Sequence, residues 1–389
     1  MFVRIRTILL IATLLLSGPL SAAILVVNTF NSDAGDTNIM LAGCDSNPGL
    51  PGDQCTLRAA IMQANATATL DQIVLPVSTE IVLNNAGLGD LGDLDITEDV
   101  VIGVLAIPND VTTLPRIRAT FADRIFDVSN NAQVTFQGMI IEDGDAGAGN
   151  GGAIRAAIGS IVDIDRVRFV DNRAQSGGAI HNAGLMSIEG SDFTLNRCVE
   201  GGSAVMNTGV LTFSTSSIRN IRDDPSLGQA DAIRTADNST LNVLNSTIDG
   251  SRPLIGGTDT GGITAITPAS LRVRNSTLTD FSDYALFVSV SPGDDVVIAN
   301  NILDDSDLFD CQISLFGGAT VDQARVGWNQ ISSSNCGASL STATSVTHRS
   351  WEHSKLPKHR ARSPISIRPR SPRPALMRAP RNRHRSNRR

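Results

Sequence analysis

The sequence predicts an all-β protein: a right-handed parallel β-helix with a short helix capping its N-terminal end. Three observations predict it. The first is a repeat, with units following one another at intervals of 24 to 30 residues. Ala153-Ile154 aligns with Ala179-Ile180, Ala204-Val205 and Ala232-Ile233, and Phe169-Val-Asp-Asn172 aligns with Phe193-Thr-Leu-Asn196. The second is alternation of apolar and polar residues in runs such as Ile161-Val-Asp-Ile-Asp165, Leu185-Met-Ser-Ile188 and Leu271-Arg-Val-Arg274, the period of a strand buried on one face. The third is punctuation by Gly, Asn, Asp and Ser, which accept a left-handed backbone or cap their own turns. A single unit cannot bury its inward side chains. Coils stacked about 4.8 Å apart pair every strand and close a continuous apolar core. A leucine-rich horseshoe would need a Leu-based repeat with helices. A propeller would need longer four-strand units rich in aromatics, which make up only 4% of this chain.

Residues 1–23 read as a signal peptide. Arg4 and Arg6 precede an apolar run over 8–16, Pro19 ends it, and Ser21-Ala22-Ala23 supplies the small residues that a signal peptidase needs. The run is shorter than the roughly 20 residues that span a bilayer. Residues 24–70 read as an N-terminal cap. Leu57, Ala60, Ile61 and Ala64 have the spacing of an amphipathic helix, and Thr56 is placed as its N-cap. A solenoid must cover its apolar end, so segment 44–66 is expected to close this one. Residues 71–340 read as the β-helix itself, with early strands expected at 73–75, 80–83, 95–96, 100–102, 125–128, 134–136 and 139–141. Later units end at 217–220, 245–248, 275–278 and 300–303. The Asn-Ser-Thr tripeptides beginning at Asn238, Asn245 and Asn275 match glycosylation acceptors, and here read as turn and ladder residues.

Five cysteines in an exported chain are read first as disulfides. Cys44 and Cys55 flank a Gly/Pro/Asp loop and form the natural first pair. Cys311 and Cys336 would close a loop near the far end, leaving Cys198 as a small buried residue of the stack. Charge is unevenly divided: residues 1–346 hold 38 acids against 18 arginines and no lysine, whereas 347–389 hold 12 Arg and 2 Lys against Glu352 alone. The acidic body disfavours nucleic acid and anionic membranes as partners. The Pro/Arg-rich tail, 341–389, also holds four of the five histidines. So abrupt a break reads as translation in a shifted frame, with a genuine disordered basic tail that binds anionic polymer or lipid as the alternative.

Cys55-Thr-Leu-Arg-Ala-Ala-Ile-Met-Gln-Ala-Asn65 resembles the signature of the CSLREA domain of exported bacterial proteins. Asp71-Gln-Ile-Val-Leu-Pro76, Gly92-Asp-Leu-Asp-Ile-Thr97 and Arg124-Ile-Phe-Asp-Val128 resemble that family's following segments, and the Gly-Gly-Ala-Ile and Phe-x-x-Asn pairs resemble the repeats of polymorphic outer-membrane proteins. The resemblance covers roughly residues 24–340 and implies an exported, surface-associated β-helix. Two departures stand out. Ala59 occupies the place of the family's Glu, which would complete a capping box with the hydroxyl residue. The ending also differs, because relatives usually finish in Gly/Pro/Leu-rich sequence of another kind.

Many right-handed β-helices cleave or bind acidic polysaccharides, so catalysis must be tested. A hydrolase needs two or three carboxylates on one face. The pairs Asp223-Asp224, Asp294-Asp295 and Asp304-Asp305 are expected in turns, where adjacent residues do not converge. A pectate-lyase-like site would need carboxylate-held Ca²⁺ and an Arg base. Arg155, Arg166, Arg168, Arg173, Arg234, Arg272 and Arg274 qualify by type alone, with solvated outer-face arginine as the default. The Asp/Gly segment 142–150 lacks a regular cation-loop spacing. His181, the only histidine before the tail, has no Ser or Cys partner motif and reads as structural. No catalytic, cofactor or metal residue is therefore assigned, and the binding residues stay unknown. The reading is a secreted or cell-surface scaffold for adhesion to polysaccharide or matrix. A β-helical polysaccharide lyase or hydrolase is the alternative, and a truncated autotransporter-like passenger the third. The passenger would carry barrel-forming strands of about ten residues, which are not visible.

Overall fold

Each coil of the chain places one strand on each of three parallel sheets. The computed structural model describes residues 22–332 apart from 41–42, 85–91, 220–221, 224–229, 251–259 and 321–323. Residues 1–21 of the expected signal peptide 1–23, Cys336 and the basic tail 341–389 lie outside the described residues. The first sheet stacks eleven strands, from Ile24–Val26 through Asp71–Val74 and Val100–Gly103 to Ala324–Gly327. The second stacks nine, from Leu94–Ile96 to Phe309–Leu315, and the third ten, from Glu80–Leu83 to Gln330–Ile331. A short fourth sheet joins Arg173–Ala174, Arg197–Cys198 and Arg222–Asp223. This is a parallel β-helix, as the repeats predict, with one short α-helix among the described residues.

The repeats also set the register. Ile154 lies opposite Ile180, Ile180 opposite Val205 and Val205 opposite Ile233. Phe169 lies opposite Phe193, and the same column continues through Ile218, Ile248, Leu278 and Leu303. Inward positions are fully buried, and the Phe169 and Phe193 rings stack with centroids 4.6 Å apart. A one-residue slip would turn each such column out to solvent.

The corners explain the punctuation. Between the first and third sheets the backbone turns on a left-handed residue in successive coils: Arg166, Gly190, Thr215, Asn245, Asn275 and Asn300, with φ between 48° and 59°. The next residue, Ser191, Ser216, Ser246 or Ser276, turns its hydroxyl inward to accept an amide N–H of the preceding coil at 3.0–3.3 Å. Asn-Ser-Thr at 245 and 275 is therefore one left-handed residue, one ladder residue and one strand residue, and Asn275 Nδ2 donates to Asn245 Oδ1 at 3.2 Å. A second ladder is internal. Asn196 Oδ1 accepts from both Asn172 N and Asn172 Nδ2 at 3.0 Å, while Asn172 Oδ1 accepts from Gly144 N. In the Gly-Gly pairs the first residue has positive φ, 68° at Gly151 and 67° at Gly177. A Cβ on the second would meet backbone, 2.4 Å from Arg173 O at Gly152.

The cap follows its own logic. Leu57–Asn65 is helical, Thr56 Oγ1 accepts from Ala59 N at 3.0 Å as N-cap, and Cys44 and Cys55 are joined with their Cα atoms 5.0 Å apart. Strand Ile24–Val26 already belongs to the first sheet, although the sequence assigns it to the cap. It pairs with Asp71–Val74 across a register offset of 48 residues, because the disulfide loop and helix are inserted between them. Cys311 is disulfide-bonded, and Cys198 is buried, accepting from Gly201 N at 3.2 Å. Strand Arg116–Ala119 and the seven-residue strands Tyr284–Val290 and Phe309–Leu315 were not foreseen. Among the described residues, no helix is long and apolar enough to cross a membrane.

Candidate functional site

The segments that carry the family resemblance meet at one place, where the cap helix packs on the first coil of the second sheet. Arg58 is buried and forms a two-point pair with the buried carboxylate of Asp33 at 2.9 and 3.0 Å. Its remaining N–H groups donate to Gly92 O at 2.6 Å and Asp93 O at 3.1 Å. At the other end of the helix, Asn65 Nδ2 donates to Asp95 O and Asn65 Oδ1 accepts from Thr97 N. The Cys-Thr-Leu-Arg and Gly-Asp-Leu-Asp-Ile-Thr segments are thus sewn together by side chain to backbone bonds.

Three carboxylates gather above that seam. Leu94–Ile96 alternates, so Asp93 and Asp95 share its outer side, and Asp127 is the register partner of Asp95 in the next coil. One oxygen of each lies within 4.8 Å of the others. Arg124 stands 3.4 Å from both Asp93 and Asp127, and Arg155 forms a two-point pair with Asp127. Burial pushes the Asp93 carboxyl up to about 6, opposed by Arg124 and reinforced by Asp123, Asp95 and Asp127. These three carboxylates are the residues that could hold a cation or share a proton. The adjoining cavity, lined by Arg58, Ile61, Met62, Asn65, Asp93, Leu94 and Asp95, is about 50 Å³, water-sized and too small for a sugar ring. The sequence reading missed this cluster. Aligning Leu94-Asp-Ile96 with Phe126-Asp-Val128 as neighbouring coils would have revealed it.

The cluster begins a row along the outer face of the second sheet. Asp95, Asp127, Arg155, His181, Met206, Arg234, Thr264, Phe287 and Gln312 are successive register partners. His181 is half-buried on its strand rather than in a turn, and burial, Arg155 and Arg124 hold its pKa below the ordinary value. Further along, Asp231 is fully buried. Its Oδ1 accepts from Tyr284 Oη at 2.7 Å, and its Oδ2 lies 3.5 Å from Arg234 Nη1. Burial raises the Asp231 pKa against the pull of Tyr284, Thr264 and Arg234, while burial and Asp231 raise that of Tyr284.

The residues weighed from the sequence do not converge. Asp294 caps a turn, accepting from Ser291 N at 2.7 Å, whereas Asp295 starts a strand and pairs with Arg272 and Arg325. Asp304 ends a strand and Asp305 turns left-handed beside it; Asp224 lies outside the described residues. Arg155, Arg166, Arg173, Arg234 and Arg272 each face a carboxylate, three of them (Arg155, Arg173, Arg272) across neighbouring coils, and all keep a third or more of their side chains open to solvent, as outer-face arginines do. Arg168 starts a strand of the third sheet, and Arg274 shares a strand face with Arg272 as expected. In the segment 142–150, Glu142 pairs with Arg116 and Asp145 lies 3.9 Å from Arg173, with no convergence on one point among the described residues. No family model matches the chain, and no curated protein matches it.

Proposed function

We propose that this protein is an exported β-helical scaffold that binds an extended polysaccharide or matrix polymer along the outer face of its second sheet. The observation that carries the reading is the straight row from Asp95 to Gln312, in which acidic, basic, apolar and aromatic side chains succeed one another in strict register. Nine positions about 4.8 Å apart span roughly 40 Å, with Asp127 and Thr264 buried in the row and the other seven open or half-open to solvent. The export half of the reading is supported by the signal-peptide pattern, by the resemblance to CSLREA-domain proteins and by the Cys44–Cys55 bridge, a bond of oxidising compartments.

A second reading, hydrolysis of such a polymer, is favoured by one observation. Asp93, with its carboxyl at about 6, stands beside two further carboxylates, the pairing of acid and base that glycoside hydrolysis uses. One experiment separates the two. The exported protein is incubated with acidic and neutral polysaccharides in the presence of Ca²⁺, with retention followed by affinity electrophoresis and products by mass spectrometry. Retention without new oligosaccharides, weakened in Arg234→Ala and Phe287→Ala, is the expected result. New oligosaccharides that vanish in Asp93→Asn would establish the hydrolase, and absence of retention on every polymer would remove the scaffold reading.

A further inference from the structure

Asp71 is a carboxylate, 1% exposed, with no cationic side chain paired to it among the described residues. Its Oδ1 accepts from Ala23 N at 2.7 Å and Thr69 Oγ1 at 3.0 Å, and its Oδ2 from Thr67 Oγ1 at 2.6 Å. All three donors are neutral while the chain continues upstream of Ala23. A buried charge held only by neutral donors is costly, and Asp71 sits in the strand that registers the first one, Ile24–Val26. Ala23 is fixed from both sides, because its carbonyl accepts from Gln72 N at 2.8 Å. Ala22, one residue upstream, is exposed.

We propose that the leader is removed at the Ala22–Ala23 bond, and that the new α-ammonium of Ala23 becomes the buried counter-ion of Asp71, locking the first strand onto the solenoid only after processing. The inference rests on the export reading and adds to it a defined bond and a consequence. In the cleavage, a signal peptidase directs water onto the Ala22 carbonyl carbon. The hydroxyl stays on Ala22 as its carboxylate, and the released Ala23 amine takes up protons to become –NH₃⁺. The cut moves one residue upstream of the 1–23 boundary read from the sequence, because cutting after Ala23 would discard both the Asp71 and the Gln72 contacts. Cutting earlier would leave a neutral amide facing Asp71. The other charged groups on the packed elements are engaged elsewhere: Arg58 of the cap helix with Asp33, and Asp99 of the next coil with the Gln133 N–H at 2.8 Å.

The test is N-terminal sequencing and intact mass of the exported full chain, followed by titration of its α-amine by reductive methylation. The expected first residue is Ala23, with an α-amine that titrates above the ordinary value of about 7.7–8.0. A group whose folded pKa is raised contributes stability below its unfolded pKa and loses it as pH rises through the folded one. The melting temperature of the wild type should therefore fall across alkaline pH, and that fall should be absent in Asp71→Asn. A first residue of Ile24, or any other cut, overturns the proposal and leaves export intact. An uncut chain removes both. An α-amine that titrates normally in the Ala23 product overturns the lock even where Asp71→Asn fails to fold.

Discussion

Asn196 makes its hydrogen bonds inside the stack. It is 3% exposed, its Oδ1 accepts two N–H groups of Asn172, and its Nδ2 donates to Phe169 O at 3.0 Å. Asn196→Ala leaves buried donors and an acceptor without partners, and should cost about 3 kcal/mol by urea denaturation. Asn275→Ala, on an exposed ladder rung, should cost much less. Asp93 gives a pH prediction. Its folded pKa is raised from 3.8 to about 6, so the unfolded chain ionises first as pH rises through that window. Stability contributed at this site is therefore lost between about pH 4 and 6, and stays lost above. Melting curves across that range should show the fall in the wild type and a flatter profile in Asp93→Asn. Identical profiles would mean that Asp93 ionises normally. The ladder asparagines could be read from the sequence because they recur at the repeat. The Asp95–Asp127 pairing was legible too, in the matching Leu94-Asp-Ile96 and Phe126-Asp-Val128, but the burial of Asp93 was not, because it comes from the cap helix packing beside it, outside the repeat.

The cap helix separates two kinds of stabilisation. Thr56 Oγ1 accepts the Ala59 N–H as N-cap and donates to Ala34 O at 2.6 Å, and losing both in Thr56→Ala should cost about 1–2 kcal/mol. Arg58 faces a carboxylate buried to 0% side-chain exposure. Arg58→Ala removes that cation together with the bonds to Gly92 O and Asp93 O, and should cost about 3–5 kcal/mol. Equal losses in the two variants would show that the Arg58 pair merely offsets its own desolvation. Helical spacing and the hydroxyl before it made this helix legible. The strand Ile24–Val26 was not, because three residues paired across a register offset of 48, far from the spacing of the units, carry no repeat signal. Strand Arg116–Ala119 escaped for a related reason: its Arg-Ile-Arg-Ala alternation is short and sits outside the regular units.

At the scale of the molecule, the solenoid is a stack in which each coil touches its neighbours, so whole coils should be removable where half coils are not. Gly151 and Gly177 hold equivalent places, with φ 68° and 67° and with Ile154 and Ile180 in register behind them. Excising 151–176 joins Asn150 to Gly177 and sets the strand Gln133–Gln137 against Leu185–Glu189, so that Val134 meets Met186 and Phe136 meets Ile188 inside the core. Ile141 then meets Phe193, and Asn196 takes over the role of Asn172 opposite Gly144. The visible loss is the Arg155 partner of Asp127. The shortened protein should keep a β-rich circular dichroism spectrum and one cooperative transition, only modestly weakened. Removing 151–163 instead breaks the stack between a first-sheet strand and its corner, so that Ile164 and Phe169 have no coil to enter, and should abolish the transition. If the whole-coil deletion unfolds as completely as the half-coil one, stability is not carried coil by coil. Contacts beyond nearest neighbours would then hold the molecule together.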